Sequence, residues 1–174
     1  MTNEELTLRD IAGFCPEEAI WKMLTDISFF LLKEDAGYMI NADTIAIADN
    51  QFIVIGEKSH TTQADMIWAL GATAYYTAAG HEVFGGHGRN YQLEHPHVAL
   101  PILQKTFQSL TPVIHRCLCY NPSDRISLES LQGLANTGLA ACAKRQRINK
   151  KPIKRQTESV CYQEFKWPEK MIVV

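Results

Sequence analysis

Gln63-Ala64-Asp65-Met66-Ile67-Trp68-Ala69-Leu70-Gly71-Ala72-Thr73-Ala74-Tyr75-Tyr76 is a helical stretch with almost no polar face. A helix that is apolar all round is either a membrane span or the central helix of a core. A span needs roughly 20 apolar residues, and Gly80 stops this stretch too early. The pattern therefore predicts a helix over residues 63–79, capped by Thr61 or Thr62, that runs through the middle of a domain with other helices around it.

Upstream, Leu6-Thr7-Leu8-Arg9-Asp10-Ile11 reads as a short helical turn ended by Gly13. Pro16-Glu17-Glu18 opens a longer helix, because proline is tolerated in a first turn and two acids suit the positive end of the helix dipole. Ile20, Leu24, Ile27 and Leu31 recur on one face of it, to about Lys33, and Trp21 and Phe29 widen the stripe. Two short strands joined at Asp49-Asn50 form a β-hairpin over 44–55, which is marginal alone and must lie on the helical body. Downstream, residues 82–97 read as a loop rich in Gly and His. Helical patterns follow over about 98–109, 112–119 and from Ser127 to about Cys142. The expected fold is mainly α: about six helices around the apolar one, plus one hairpin.

Composition agrees. The chain has 174 residues, 46% hydrophobic and 21% charged, with a net charge of −2. That is globular usage, which excludes disorder, collagen-like repeats and coiled-coil fibre. The opening Met1-Thr2-Asn3-Glu4-Glu5 has no apolar run behind it, so no secretory signal is expected. Five cysteines without framework spacing suggest reduced thiols and a cytoplasmic location. The charge is uneven. Residues 1–143 hold eight Lys/Arg against sixteen Asp/Glu, a balance of −8. Lys144, Arg145, Arg147, Lys150, Lys151, Lys154 and Arg155 then follow with no acid among them. The domain is accordingly set at 1–143, with a basic and then apolar extension over 144–174.

Two stretches together resemble the protein-kinase C-lobe. Gln63 through Gly71 is similar to the start of that lobe's central helix, which usually carries D-x-W-S-L-G. Arg116-Cys117-Leu118-Cys119-Tyr120-Asn121-Pro122-Ser123-Asp124-Arg125-Ile126-Ser127 resembles the kinase segment R-C-L-x-x-D-P-x-x-R-P-S. Between them, residues 81–86 look like the T-G-x-x-P-F stretch. No Gly-rich loop or Val-Ala-x-Lys strand is present. Alignment on the kinase catalytic segment puts Gly37-Tyr38-Met39 where His-Arg-Asp is expected, Thr44 at the metal-binding Asn, and Gly56-Glu57-Lys58 near Asp-Phe-Gly. Phosphoryl transfer needs those groups for positioning and charge neutralisation. The resemblance thus implies a lobe without kinase activity, ATP, magnesium or other cofactor.

The N-terminal edge, Leu6 to Ile11 with Pro16-Glu17-Glu18-Ala19-Ile20-Trp21, is similar to the opening of the KIND domain, the non-catalytic C-lobe module. That resemblance implies a protein-binding role in signalling. In Spire-type proteins the module holds a basic formin peptide in an acidic groove. Trp21, Asp65, Trp68, Gly71 and Arg125 would be structural. Asp65 stands one residue early in its frame, and Glu57 is the nearest substitute in chain order for the carboxylate that pairs with Arg125.

Other signals have plainer readings. His81, His87, His95, His97, His115, Cys117 and Cys119 are residue types zinc accepts, but no Cys-x-x-Cys or His-x-x-x-His pair occurs. Gly85-Gly86-His87-Gly88 follows no strand, which argues against a nucleotide loop. The basic run has three readings: a solvated end of the last helix, a charge-only contact to nucleic acid or anionic lipid, or docking on an acidic groove. The groove would belong to its own body or to a neighbouring chain, giving a homodimer. The acidic body argues against nucleic acid. Met171 to Val174 are apolar enough to add an edge strand. The rival from another class is the C-lobe half of a split kinase completed by a partner chain.

Overall fold

A computed structural model describes residues 6–149 of the chain. Lys150, Lys151, Lys154, Arg155 and the edge-strand expectation at 171–174 lie outside the described residues.

Six α-helices and two small antiparallel ladders make up the described body. Helix α1 (Leu8–Ile11) is closed by Thr7, whose backbone N–H and hydroxyl both donate to the Asp10 carboxylate at 2.8 and 2.9 Å. Helix α2 (Glu17–Lys33) follows Pro16. Strand β1 (Gly37–Tyr38) pairs with β4 (Lys58–Ser59), and β2 (Ile45–Ala48) pairs with β3 (Gln51–Val54). The β2–β3 hairpin turns at Asp49 and Asn50, both in left-handed conformation, as a two-residue hairpin requires. Its β3 edge meets α2, where Asp26 Oδ2 accepts the Phe52 N–H at 3.0 Å while Lys22 holds the same carboxylate at 2.9 Å.

Helix α3 (Gln63–Ala79) is the apolar stretch. Thr62 caps it by accepting from Asp65 N at 3.2 Å, and Gly80 ends it at φ 75°, a left-handed position that glycine adopts without strain. Ten of its seventeen residues are buried, from Met66 to Ala78. Helix α2 shares the centre with it. Trp21, Met23, Leu24 and Ile27 are buried between α3, the hairpin and α6 (Leu128–Asn149). Each such side chain contributes about 1.5–3 kcal/mol on burial. Two close approaches set the helix spacing. A Cβ on Gly71 would overlap the side chain of Cys117 in α5 (Thr111–Cys117), and a Cβ on Gly138 of α6 would overlap the Trp21 indole.

Four local expectations change. Phe29 does not widen the buried stripe of α2. It is 50% exposed, with the Lys33 ammonium 3.8 Å from its ring centroid. The helix expected over 98–109 is an irregular segment with one 3₁₀ turn at Lys105–Phe107. Pro101 cannot donate within a helix and disfavours helical geometry in its neighbour, and its carbonyl accepts from His115 Nε2 at 2.8 Å. The loop expected over 82–97 holds a 3₁₀ turn (Val83–Gly86) and helix α4 (Gly88–Glu94), and Gln92 of α4 is only 2% exposed. Helix α6 runs unbroken past Ala143, so the basic run begins inside a helix.

Candidate functional site

Arg125 lies where a 3₁₀ turn (Pro122–Asp124) delivers the chain into α6. Its side chain is 1% exposed, and each of its three guanidinium nitrogens donates to an oxygen. Nε donates to Cys119 O at 3.0 Å, and one terminal nitrogen donates to Ala64 O at 2.7 Å and meets Asp65 Oδ1 at 3.3 Å. The pairing expected with Glu57 is not formed: Glu57 is exposed and makes no ion pair among the described residues. The reason is placement. The 3₁₀ turn packs on the first turn of α3, which carries Asp65, whereas Glu57 directly precedes β4, whose Lys58 and Ser59 pair with β1. The Asp65 carboxyl is held below the usual range, first by the Thr62 hydroxyl at 2.7 Å and then by Arg125. Asp65 therefore steadies the capping hydroxyl of Thr62 and serves as the counter-ion of Arg125.

Helix α4 adds two groups over the open face of α3. Gln92 is a junction. Its Oε1 accepts from Trp68 Nε1 at 2.9 Å and from Arg89, and its Nε2 donates to Leu118 O at 2.6 Å. Arg89 also donates to Tyr120 O at 2.7 Å, and its guanidinium stands 6.0 Å from the Trp68 ring centroid and 5.4 Å from that of Tyr120. These groups border a hollow of about 250 Å³ lined by Tyr38, Met39, Ile40, Thr61, Asp65, Trp68, Ala69 and Arg89. A second hollow, about 150 Å³, shares Ile40, Trp68 and Ala69 and reaches Tyr76 and Glu82. Together they make a groove on α3. The hollow among α2, the hairpin and α6 is smaller, about 110 Å³, and its charged lining is spent: Lys22 pairs with Asp26 and Glu18 accepts from Gln146.

The start of the basic run is placed by α6. Arg145 donates to Glu17 Oε2 at 3.0 Å and Gln146 donates to Glu18, so the C-terminal end of α6 meets the acidic first turn of α2. Glu17 raises the Arg145 pKa. Lys144 and Arg147 are exposed.

The histidines scatter. His87, Tyr91 and His95 stack along α4, with Tyr91 centroids 5.6 and 4.2 Å from the two imidazoles. Cys117 is buried, which pushes its thiol up to about 12, and Cys119 Sγ lies 3.5 Å from His115 O. Among the described residues, no group of three or more His, Cys, Asp or Glu is arranged to share a metal ion.

The structure thus joins Asp65 and Arg125 directly, with Trp68 beside them. It sets Trp21 in the α2–α6 seam and Gly71 on α5, apart from the groove. Arg89 and Gln92 were missed in the sequence, although their three-residue spacing in a Gly-bounded segment was a signal for a short helix. No protein-family model and no curated protein matches the chain.

Proposed function

We propose that this chain is a non-catalytic module, similar to a kinase C-lobe of the KIND type, that works by binding a protein partner and uses its acidic surface to hold a basic segment. The observation that carries the reading is the contact of Arg145 and Gln146 with Glu17 and Glu18: the acidic first turn of α2 already pairs with one arginine of the basic run from its own chain. The positions aligned with the kinase catalytic segment support it. Thr44 spends its hydroxyl on Met39 O at 2.8 Å and on Asn41 N at 2.9 Å, and Tyr38 donates to Glu34 at 2.8 Å. Both side chains close loops.

The test uses the full chain and a labelled peptide of residues 144–155. Arg145→Ala frees Glu17 and raises peptide binding, Glu17→Ala abolishes that gain, and a charge-scrambled peptide binds more weakly. Tight, saturable binding of ATP with magnesium would overturn the reading.

A further inference from the structure

The charges around the larger hollow do not balance. Arg125 is met by Asp65 at 3.3 Å. Arg89 has no carboxylate within ion-pair distance among the described residues. Its two hydrogen bonds go to neutral oxygens, those of Gln92 and Tyr120. A guanidinium carries five N–H donors, so three lack an acceptor among the described residues. The cation is also partly desolvated. Burial first, and then Arg125, hold its pKa below the ordinary value. A partly desolvated cation with no carboxylate at ion-pair distance is stabilised by an anion that supplies one.

The surroundings suit a ligand of mixed character. Tyr38, Met39, Ile40, Trp68 and Ala69 supply apolar lining, and Arg89 supplies the cation. An apolar lining with a few placed polar groups is the usual make-up of a small-ligand site, and the volume of about 250 Å³ accepts a body the size of one aromatic ring. Asp65 lines the same hollow and opposes an anion set beside it. Its carboxylate is occupied by Thr62 and Arg125, so the sum over Arg89, Arg125 and Asp65 is one positive charge.

We propose that this hollow is an oxyanion-binding site, for a ligand whose apolar body lies on Trp68 and Ala69 and whose carboxylate or phosphate is paired by Arg89. The site does not depend on the kinase-like reading. An Arg fork pairs either anion through two parallel N–H bonds.

The experiment titrates the full chain with phenyl phosphate, benzoate and benzyl alcohol and follows the Trp68 indole N–H cross-peak by NMR. The two anions move it saturably and benzyl alcohol does not; the tighter of the two identifies the anion the site prefers. Arg89→Gln weakens the anions at least tenfold, Arg89→Lys weakens them less, and Ala69→Leu, which takes up space in the hollow, excludes both anions. Equal response to benzyl alcohol, failure of both anions to bind, or unchanged binding in folded Arg89→Gln would each overturn the proposal. If Arg89→Gln unfolds, unchanged binding in Ala69→Leu overturns it and exclusion there supports it.

Discussion

Trp21 and Trp68 look interchangeable in the sequence, each a tryptophan on an apolar helix, yet the structure gives them opposite surroundings. Trp21 is 3% exposed, its indole laid against Gly138 of α6 and its Nε1 3.3 Å from Glu17. Trp68 is half-buried, tied through Gln92 to Arg89, and walls a hollow. The α2–α6 seam is held by shape: one large ring fits where a glycine leaves room. The α3–α4 face is held by polar connections around an unfilled space. Close packing makes the first intolerant of change, whereas the second can lose an atom group without leaving a sealed void.

The sharpest test of that contrast is a pair of truncations followed by urea denaturation. Trp21→Ala should cost about 3–5 kcal/mol, the usual penalty for emptying a core aromatic site. Trp68→Ala should cost about 1–2 kcal/mol, near the loss of one hydrogen bond with partial burial. Equal costs would erase the distinction between seam and face.

Next in size is the Arg125 node. Arg125→Met removes the donor to Cys119 O, a second donor to the helical carbonyl of Ala64, and the counter-ion of Asp65, and a hydrogen bond to a charged group is worth about 1.5–3 kcal/mol. The variant should lose about 2–3 kcal/mol, while Glu57→Gln should stay within about 0.5 kcal/mol. A large effect at Glu57 would restore the pairing expected from chain order.

The smallest effect is the pH response of Asp65. Its folded pKa is depressed below the ordinary aspartate value. Its contribution is therefore present above about pH 4 and is lost as pH falls through the folded value. Asp65→Asn should flatten the stability–pH curve below about pH 4 and lower it by a constant amount near neutrality, where the charged carboxylate contributes fully. Because the side chain is 54% exposed, the change is modest. A steeper loss would mean that the carboxylate matters more to the node than its exposure implies.

The helical frame was legible because its signals are local. Thr62 and Gly80 bracket α3, Pro16 opens α2, and Asp49-Asn50 turns the hairpin, each by backbone preferences acting over a few residues. The candidate site was less legible because it is assembled across the chain. Arg89, Gln92, Leu118 and Tyr120 meet only after α4 settles over α3, and α4 sits in a segment whose glycines and histidines read as a loop. Periodicity also overstated burial at Phe29, since a stripe reports which face is apolar and not where a neighbour ends. The failure at 98–109 was one of weighting: Pro101 was in plain sight, and its missing N–H outranked the helical pattern read there.

Asp26 bears on how the molecule keeps to itself. An outer strand normally offers a row of bare amides to any passing polypeptide. Here a carboxylate reaching across from α2 already satisfies the amide of Phe52, and the Lys22 ammonium steadies it. A newcomer seeking to lengthen this sheet at that margin must first evict a charged tenant and strand its lysine, so the hairpin carries its own guard against runaway stacking.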